Sequence, residues 1–237
     1  MGSIELSAIR DIPLFEDLSD EELEVISQGL TTQTFKRGEH IFRSGDEADR
    51  LFIVVEGQMK IYRILPDGRE QVMYLYDEDD FVGAFNLIKR DRYRYNGQAL
   101  KPSEIAMLSK EVFDSIALKN PPMLLKILEK SYERIRWAEG MLDRMSGHST
   151  EQRVATLLLD LLRDYGTVRG RHLNLRLPMN REELGSYTGM TRETLTRKLL
   201  DFQTQGLIEM KGSREVTILE PERLRLLAKV EEELLQS

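Results

Sequence analysis

The spacing of apolar residues changes period twice along this chain, and each period marks a different kind of element. Between Thr31 and Leu108, short apolar runs are cut by turn-forming residues. The turns are Lys36-Arg37-Gly38-Glu39, Ser44-Gly45-Asp46, Glu56-Gly57-Gln58 and Pro66-Asp67-Gly68-Arg69. Leu51 to Val55 is one continuous apolar run. Tyr62 and Ile64 alternate before the Pro-Asp-Gly turn, and Val72, Tyr74 and Tyr76 alternate after it. Many short strands punctuated by glycine predict a barrel or jelly-roll. In front of them, Leu18 to Leu30 reads as a helix whose Ser19 and Glu22 form a capping box.

After Asn120 the period lengthens. Asn120 suits a helix cap and Pro121 the first helical position, and no further proline follows until Pro178 apart from the adjoining Pro122. Leu124, Leu128, Ser131, Ile135, Ala138, Leu142 and Met145 recur at alternating spacings of four and three, the seam of a coiled coil. The same pattern also suits a helix packed on its own domain. Ser146-Gly147-His148 breaks the run and is expected to act as a hinge, and Ser149 with Gln152 opens the next helix, Glu151 to Tyr165.

The third pattern is the most informative. Asn180 caps a short helix, with Glu183 three residues on to complete a capping box. Gly189 supplies a tight turn, and Thr191 caps a second helix with Leu195, Leu199 and Phe202 on its buried stripe. The opposite face carries Arg192 above Thr196 and Glu193 above Arg197. Arginine can grip guanine O6 and N7 with two hydrogen bonds, and glutamate can accept from the cytosine N4 amine. A solvated, self-paired helix face has the same composition, so the flanks decide. Ile208 and Met210, the turn Gly212-Ser213, and Val216 and Ile218 form a hairpin wing, and the Leu173, Leu175, Leu177 alternation offers another strand. The whole reads as a winged helix-turn-helix.

Composition narrows the class. The 237 residues, 41% apolar, suit one large or two modest domains, with no apolar run of transmembrane length and no signal-like start. The absence of cysteine excludes disulfides, thiolate metal sites and thiol redox sensing. His40, His148 and His172 are scattered, which suggests no metal site. Net charge −7 looks unsuited to DNA until it is divided. Residues 149–237 hold 14 basic and 14 acidic residues, and within them 163–198 hold eight basic and four acidic. The acidic run Glu231 to Glu233 stands apart, on an expected C-terminal helix. Phosphate responds to the local field, because charges beyond about 10 Å are largely screened at cellular salt.

In this order, the glycine-punctuated strands, the long helix and the winged helix resemble the CRP/FNR family of bacterial transcription regulators, over about Leu14 to Leu219. The most specific match is Thr191-Arg192-Glu193-Thr194-Leu195-Thr196-Arg197, which is similar to the family's recognition helix, and Gly38-Glu39, Gly45, Gly57 and Gly83 match its β-roll. The cyclic-AMP branch carries a glutamate after the glycine matched by Gly83, and an Arg-Ser pair further on. This chain has Ala84-Phe85-Asn86-Leu87 and Arg92-Tyr93-Arg94-Tyr95 instead. Phe81 to Phe85 with Gln98-Ala99-Leu100 looks closer to the FNR branch, whose iron–sulfur oxygen sensor needs cysteines that are missing here.

The resemblance implies an α+β chain. It has a jelly-roll-like β-roll of the cyclic-nucleotide-binding-domain type over 1–119, a dimerisation helix over 120–146 and a winged helix-turn-helix over 147–237. It implies a homodimer in the cytoplasm that binds double-stranded DNA at a palindrome with TGTGA-like half-sites. RNA polymerase is a further partner, the small-molecule effector is unidentified, and neither cofactor nor membrane is involved. Arg192, Glu193, Thr196 and Arg197 are expected to read bases, and Arg181, Thr191, Thr194 and Lys211 to contact phosphate. Leu124, Leu128, Ile135, Ala138 and Leu142 are expected in the dimer seam. Gly83, Ala84, Phe85, Asn86, Arg92, Arg94 and Trp137 are expected around an effector pocket, although Lys89 to Tyr95 also suits a solvated hairpin tip and Trp137 a core or interface position. A competing class is a ligand-binding module acting by protein–protein contact, with the C-terminal fold as a lid. No nucleophile elbow, phosphate loop or metal motif supports an enzyme.

Overall fold

The computed structural model describes residues 6–147, 149–169 and 172–228. It clusters into two compact units, one running to Ile64 and resuming over Val72–Arg136, the other combining Leu65–Gln71 with the chain from Trp137 onward.

The first unit opens with α1 (Leu6–Arg10) and α2 (Asp20–Gly29). Ser19 caps α2 through the anticipated capping box with Glu22. Eight strands follow: β1 (Leu30–Phe35), β2 (His40–Phe42), β3 (Arg50–Glu56), β4 (Met59–Ile64), β5 (Glu70–Tyr76), β6 (Phe81–Val82), β7 (Asn96–Ala99) and β8 (Ser103–Ser109). Helix α3 (Ala84–Lys89) lies between β6 and β7, and α4 (Lys110–Ile116) follows β8. The strands form two four-stranded sheets, ordered β1-β8-β3-β6 and β2-β7-β4-β5. β3 and β1 flank β8 antiparallel, with Leu51 opposite Leu108 and Leu30 opposite Leu108 on the other side. Side chains alternate across each strand, so one face of each sheet can be apolar. One core runs from Ile9 through Leu51, Ile53, Met59, Ile61, Ile105 and Phe113 to Met123 and Ile127.

Helix α5 (Pro121–Gly147) is a single continuous helix. Its Met123 and Ile127 belong to the core, whereas Leu125, Leu128, Tyr132 and Ile135 are each more than half exposed. Leu142, further along, is also exposed, while Leu124 and Ala138 are partly covered. The exposed row therefore repeats at three and four residues, one position away from the anticipated seam at Leu124 and at Ser131. Ser131 is turned inward, its hydroxyl donating to the Ile127 carbonyl at 2.7 Å. Of the anticipated hinge, Ser146 and Gly147 are helical, and His148 lies outside the described residues.

The second unit contains α6 (Thr150–Tyr165), β9 (Gly166–Arg169), β10 (His172–Arg176), α7 (Arg181–Tyr187), α8 (Arg192–Thr204), β11 (Ile208–Lys211), β12 (Glu215–Ile218) and α9 (Pro221–Ala228). Ser149 and Gln152 form the capping box of α6, whose Val154, Ala155, Leu157, Leu158 and Leu161 are buried. The wing pairs Met210 with Val216 and Ile208 with Ile218. Its sheet continues through β10 to β9, a strand the hydrophobic pattern did not announce. Glu231 to Glu233 lie outside the described residues.

Candidate nucleic-acid interface

Two helices and a turn build the site. Asn180 accepts from the backbone N–H groups of Glu182 and Glu183 at 2.9 Å each, and Glu183 returns a bond to the Asn180 N–H at 2.8 Å. This satisfies donors that would otherwise be orphaned at the start of α7. The turn passes through Gly189 at φ 68°, a left-handed conformation that suits glycine. Thr191 then caps α8 by accepting from the Thr194 N–H at 3.2 Å. Leu195, Leu199 and Phe202 are buried, which fixes the rotation of α8 about its axis.

Gly185 sets how closely the two helices approach. A Cβ there would stand 2.9 Å from the Met190 carbonyl oxygen, 3.2 Å from the Thr191 carbonyl carbon and 3.3 Å from the Arg192 nitrogen. All three neighbours are backbone, and the Met190 N–H donates to the Gly185 carbonyl at 2.8 Å. A methyl group would push the start of α8 away. Gly185→Ala should therefore lower stability by about 1–3 kcal/mol, the usual cost of overpacking, and weaken specific DNA binding. A denaturation midpoint equal to that of the unchanged protein would show the contact to be harmless.

The rotation of α8 leaves Arg192, Glu193 and Arg197 exposed and Thr196 at the edge of the same face. Among the described residues none of the three charged side chains takes part in a hydrogen bond or ion pair. By contrast, Lys198, further round the helix, is held by Asp201 at 3.1 Å. A self-paired solvated face would have joined Glu193 to Arg197. The expected phosphate groups are more varied. Thr191 and Lys211 are exposed, and Thr194 is half-buried with its hydroxyl 3.0 Å from that of Thr191. Arg181 is tucked against the wing, its Nη2 3.2 Å from the Met210 sulfur and its buried Nη1 without a partner among the described residues. Burial lowers the affinity of its guanidinium for a proton.

The matches to known families divide along the same line. A cyclic nucleotide-binding domain matches residues 32–120 and a Crp-like helix-turn-helix domain matches 152–227. The fumarate and nitrate reduction regulatory protein of Vibrio cholerae is 30% identical over 217 residues, 91% of this chain and 86% of that protein. The chain belongs to the CRP/FNR family. FixK2 of Bradyrhizobium japonicum has the same fold at a TM-score of 0.74 and 26% identity, over 84% of this chain and 96% of that one. A CooA mutant of Carboxydothermus hydrogenoformans superimposes at a TM-score of 0.77 and 18% identity, over 96% and 97% of the two chains. This CRP/FNR protein is thus a helix-turn-helix DNA-binding transcription regulator and not an enzyme, which removes the reading of its C-terminal fold as a lid.

The first unit of the CRP/FNR chain holds a shallow cleft bounded by β6, α3 and α5. Gly83, Ala84, Phe85 and Asn86 line it, joined by Lys130, Ser131 and Arg134, which the sequence did not place at a pocket. Three of the anticipated pocket residues stand elsewhere. Arg92 donates to the Gly45 carbonyl at 2.6 Å, and Arg94 is exposed 3.8 Å from Asp91. Trp137 donates from Nε1 to the Tyr187 hydroxyl at 2.8 Å. Tyr93 is buried and donates to the Arg50 carbonyl at 2.7 Å, so the segment from Lys89 to Tyr95 is anchored inward rather than forming one cationic patch.

Proposed function

We propose that the protein acts as a homodimer, reading a palindrome with TGTGA-like half-sites and regulating RNA polymerase at that site. The observation that carries this reading is the unpaired, exposed set Arg192, Glu193 and Arg197, with Thr196 beside it, on a helix whose rotation is fixed by its buried stripe. Thr191, Thr194, Lys211 and Arg181 supply phosphate contacts around that helix, positioning it without adding sequence information. Two-fold symmetry in the operator calls for two copies of the helix. The exposed row Leu125, Leu128, Tyr132 and Ile135 on α5 gives a second copy an apolar stripe at coiled-coil spacing. The cleft lined by Gly83 to Asn86 is the candidate effector pocket, and the cytoplasm, where bacterial DNA lies, is the place of action.

A gel shift with a TGTGA inverted repeat against a scrambled duplex, at moderate salt, tests the reading. Preference for the repeat by tenfold or more is expected, and equal affinity for the two would end it. Lys211→Ala should weaken binding to both duplexes alike and reduce the slope of log affinity against log salt by about one. A loss confined to the repeat would assign Lys211 to base readout instead.

A further inference from the structure

The match to a cyclic nucleotide-binding domain raises the question of whether this cleft suits such a ligand. A cyclic nucleotide brings a phosphodiester charge and a ribose hydroxyl, which need a free cation and a free acceptor once they are out of water. Most of the polar groups around the cleft are already engaged in hydrogen bonds or ion pairs. The Asn86 amide donates to Asp91 Oδ1 at 2.7 Å and to the Arg92 carbonyl at 3.1 Å. The Ser131 hydroxyl is taken by Ile127. Lys130 is ion-paired with Asp80 and lies 3.0 Å from Glu133. The Arg134 guanidinium lies over the rings of Tyr74 and Tyr76, 5.9 and 5.8 Å from their centroids. Among the described residues no carboxylate lines the cleft, and its remaining side chains are apolar. A phosphate that drew on Lys130 would have to detach it from Asp80, leaving a mostly buried carboxylate unpaired, and one that drew on Arg134 would have to lift it off the two tyrosine rings. Breaking such an ion pair costs more than forming it gains.

The same groups form a bridge. Asp80 sits on the turn between β5 and β6, its carbonyl accepting from the Val54 N–H and its carboxylate accepting from the Asp77 N–H at 3.0 Å. Tyr74 and Tyr76 are on β5 itself, and Tyr76 is fully buried. Lys130 and Arg134 are one turn apart on α5, so successive turns of the helix are fastened to one strand and the turn after it. Burial works against the Lys130 charge, yet Asp80 beside it holds the ammonium above its ordinary value. We propose that the Asp80–Lys130 pair and the Arg134–tyrosine stack are a built-in substitute for a ligand: they join the β-roll to α5 and keep the protein competent for DNA without a cyclic nucleotide. This rests on DNA binding as the output proposed above.

The test uses the full chain. Titration calorimetry with cAMP and with cGMP should show no saturable heat up to millimolar nucleotide, and neither should change operator affinity. Asp80→Asn and Lys130→Met should each lower operator affinity at least tenfold, with faster amide hydrogen exchange over residues 127–134. The exchanged pair Asp80→Lys with Lys130→Asp should restore affinity to within threefold, which separates the bridge from a general loss of folding. Saturable micromolar binding of either nucleotide overturns the proposal. So does an Asp80→Asn protein with unchanged exchange over 127–134. Should the unchanged protein fail to prefer its operator, the proposed DNA target falls. The nucleotide titration and the hydrogen exchange still decide the bridge.

Discussion

Leu128→Asp combined with Ile135→Asp should convert the proposed dimer to monomers and abolish tight operator binding. Both side chains are more than half exposed on α5, so the substitutions cost the isolated chain little. In a paired seam each aspartate would face its own mate across the two-fold axis, burying like charges without partners, at several kcal/mol for each buried charge. Losing the dimer loses the simultaneous engagement of two half-sites, which is worth far more than one half-site alone. Light scattering should report the mass of one chain, and circular dichroism an unchanged helix content. A protein that remains dimeric would place the interface away from this row.

Arg197→Ala should cost about 1–3 kcal/mol per contacted guanine on the specific site, or roughly 5- to 150-fold in affinity for one contact. Random duplex should lose little, because the charge is one among several near the phosphates. Arg192→Ala should behave in the same way. Neither change disturbs the fold, since both side chains point away from the buried Leu195, Leu199 and Phe202. Equal losses on specific and random DNA would remove Arg197 from base readout.

What the sequence made legible was mostly local. The capping boxes at Ser19, Ser149 and Asn180 were each readable because donor and acceptor lie three residues apart. The wing was readable because two strands alternate on either side of a glycine turn. Strand β9 was not, because Gly166 to Arg169 has a single apolar residue, Val168, and that one is exposed. Gly185 reads as a weak point inside a helix, and only the backbone of Met190 opposite explains it. The exposed apolar row on α5 differs from the anticipated seam at two positions because period alone cannot say which side of a helix its own domain covers. The Asp80–Lys130 pair is separated by fifty residues, and nothing in either neighbourhood points to the other. Arg92 and Arg94 attracted attention as a cationic cluster, but one is spent on the Gly45 carbonyl and the other faces solvent.

The unpaired state of Arg192, Glu193 and Arg197 also has a thermodynamic signature. Three long side chains enter the complex free to rotate, and each gives up about 0.5–1.5 kcal/mol of rotamer entropy on being fixed against a base. Site recognition should therefore carry a less favourable entropy than binding to random duplex, where the same side chains stay mobile, so the preference for the site should shrink on warming. A variant carrying a pre-formed pair on this face would recover part of that entropy, but its arginine would then have to leave a carboxylate before it could reach guanine.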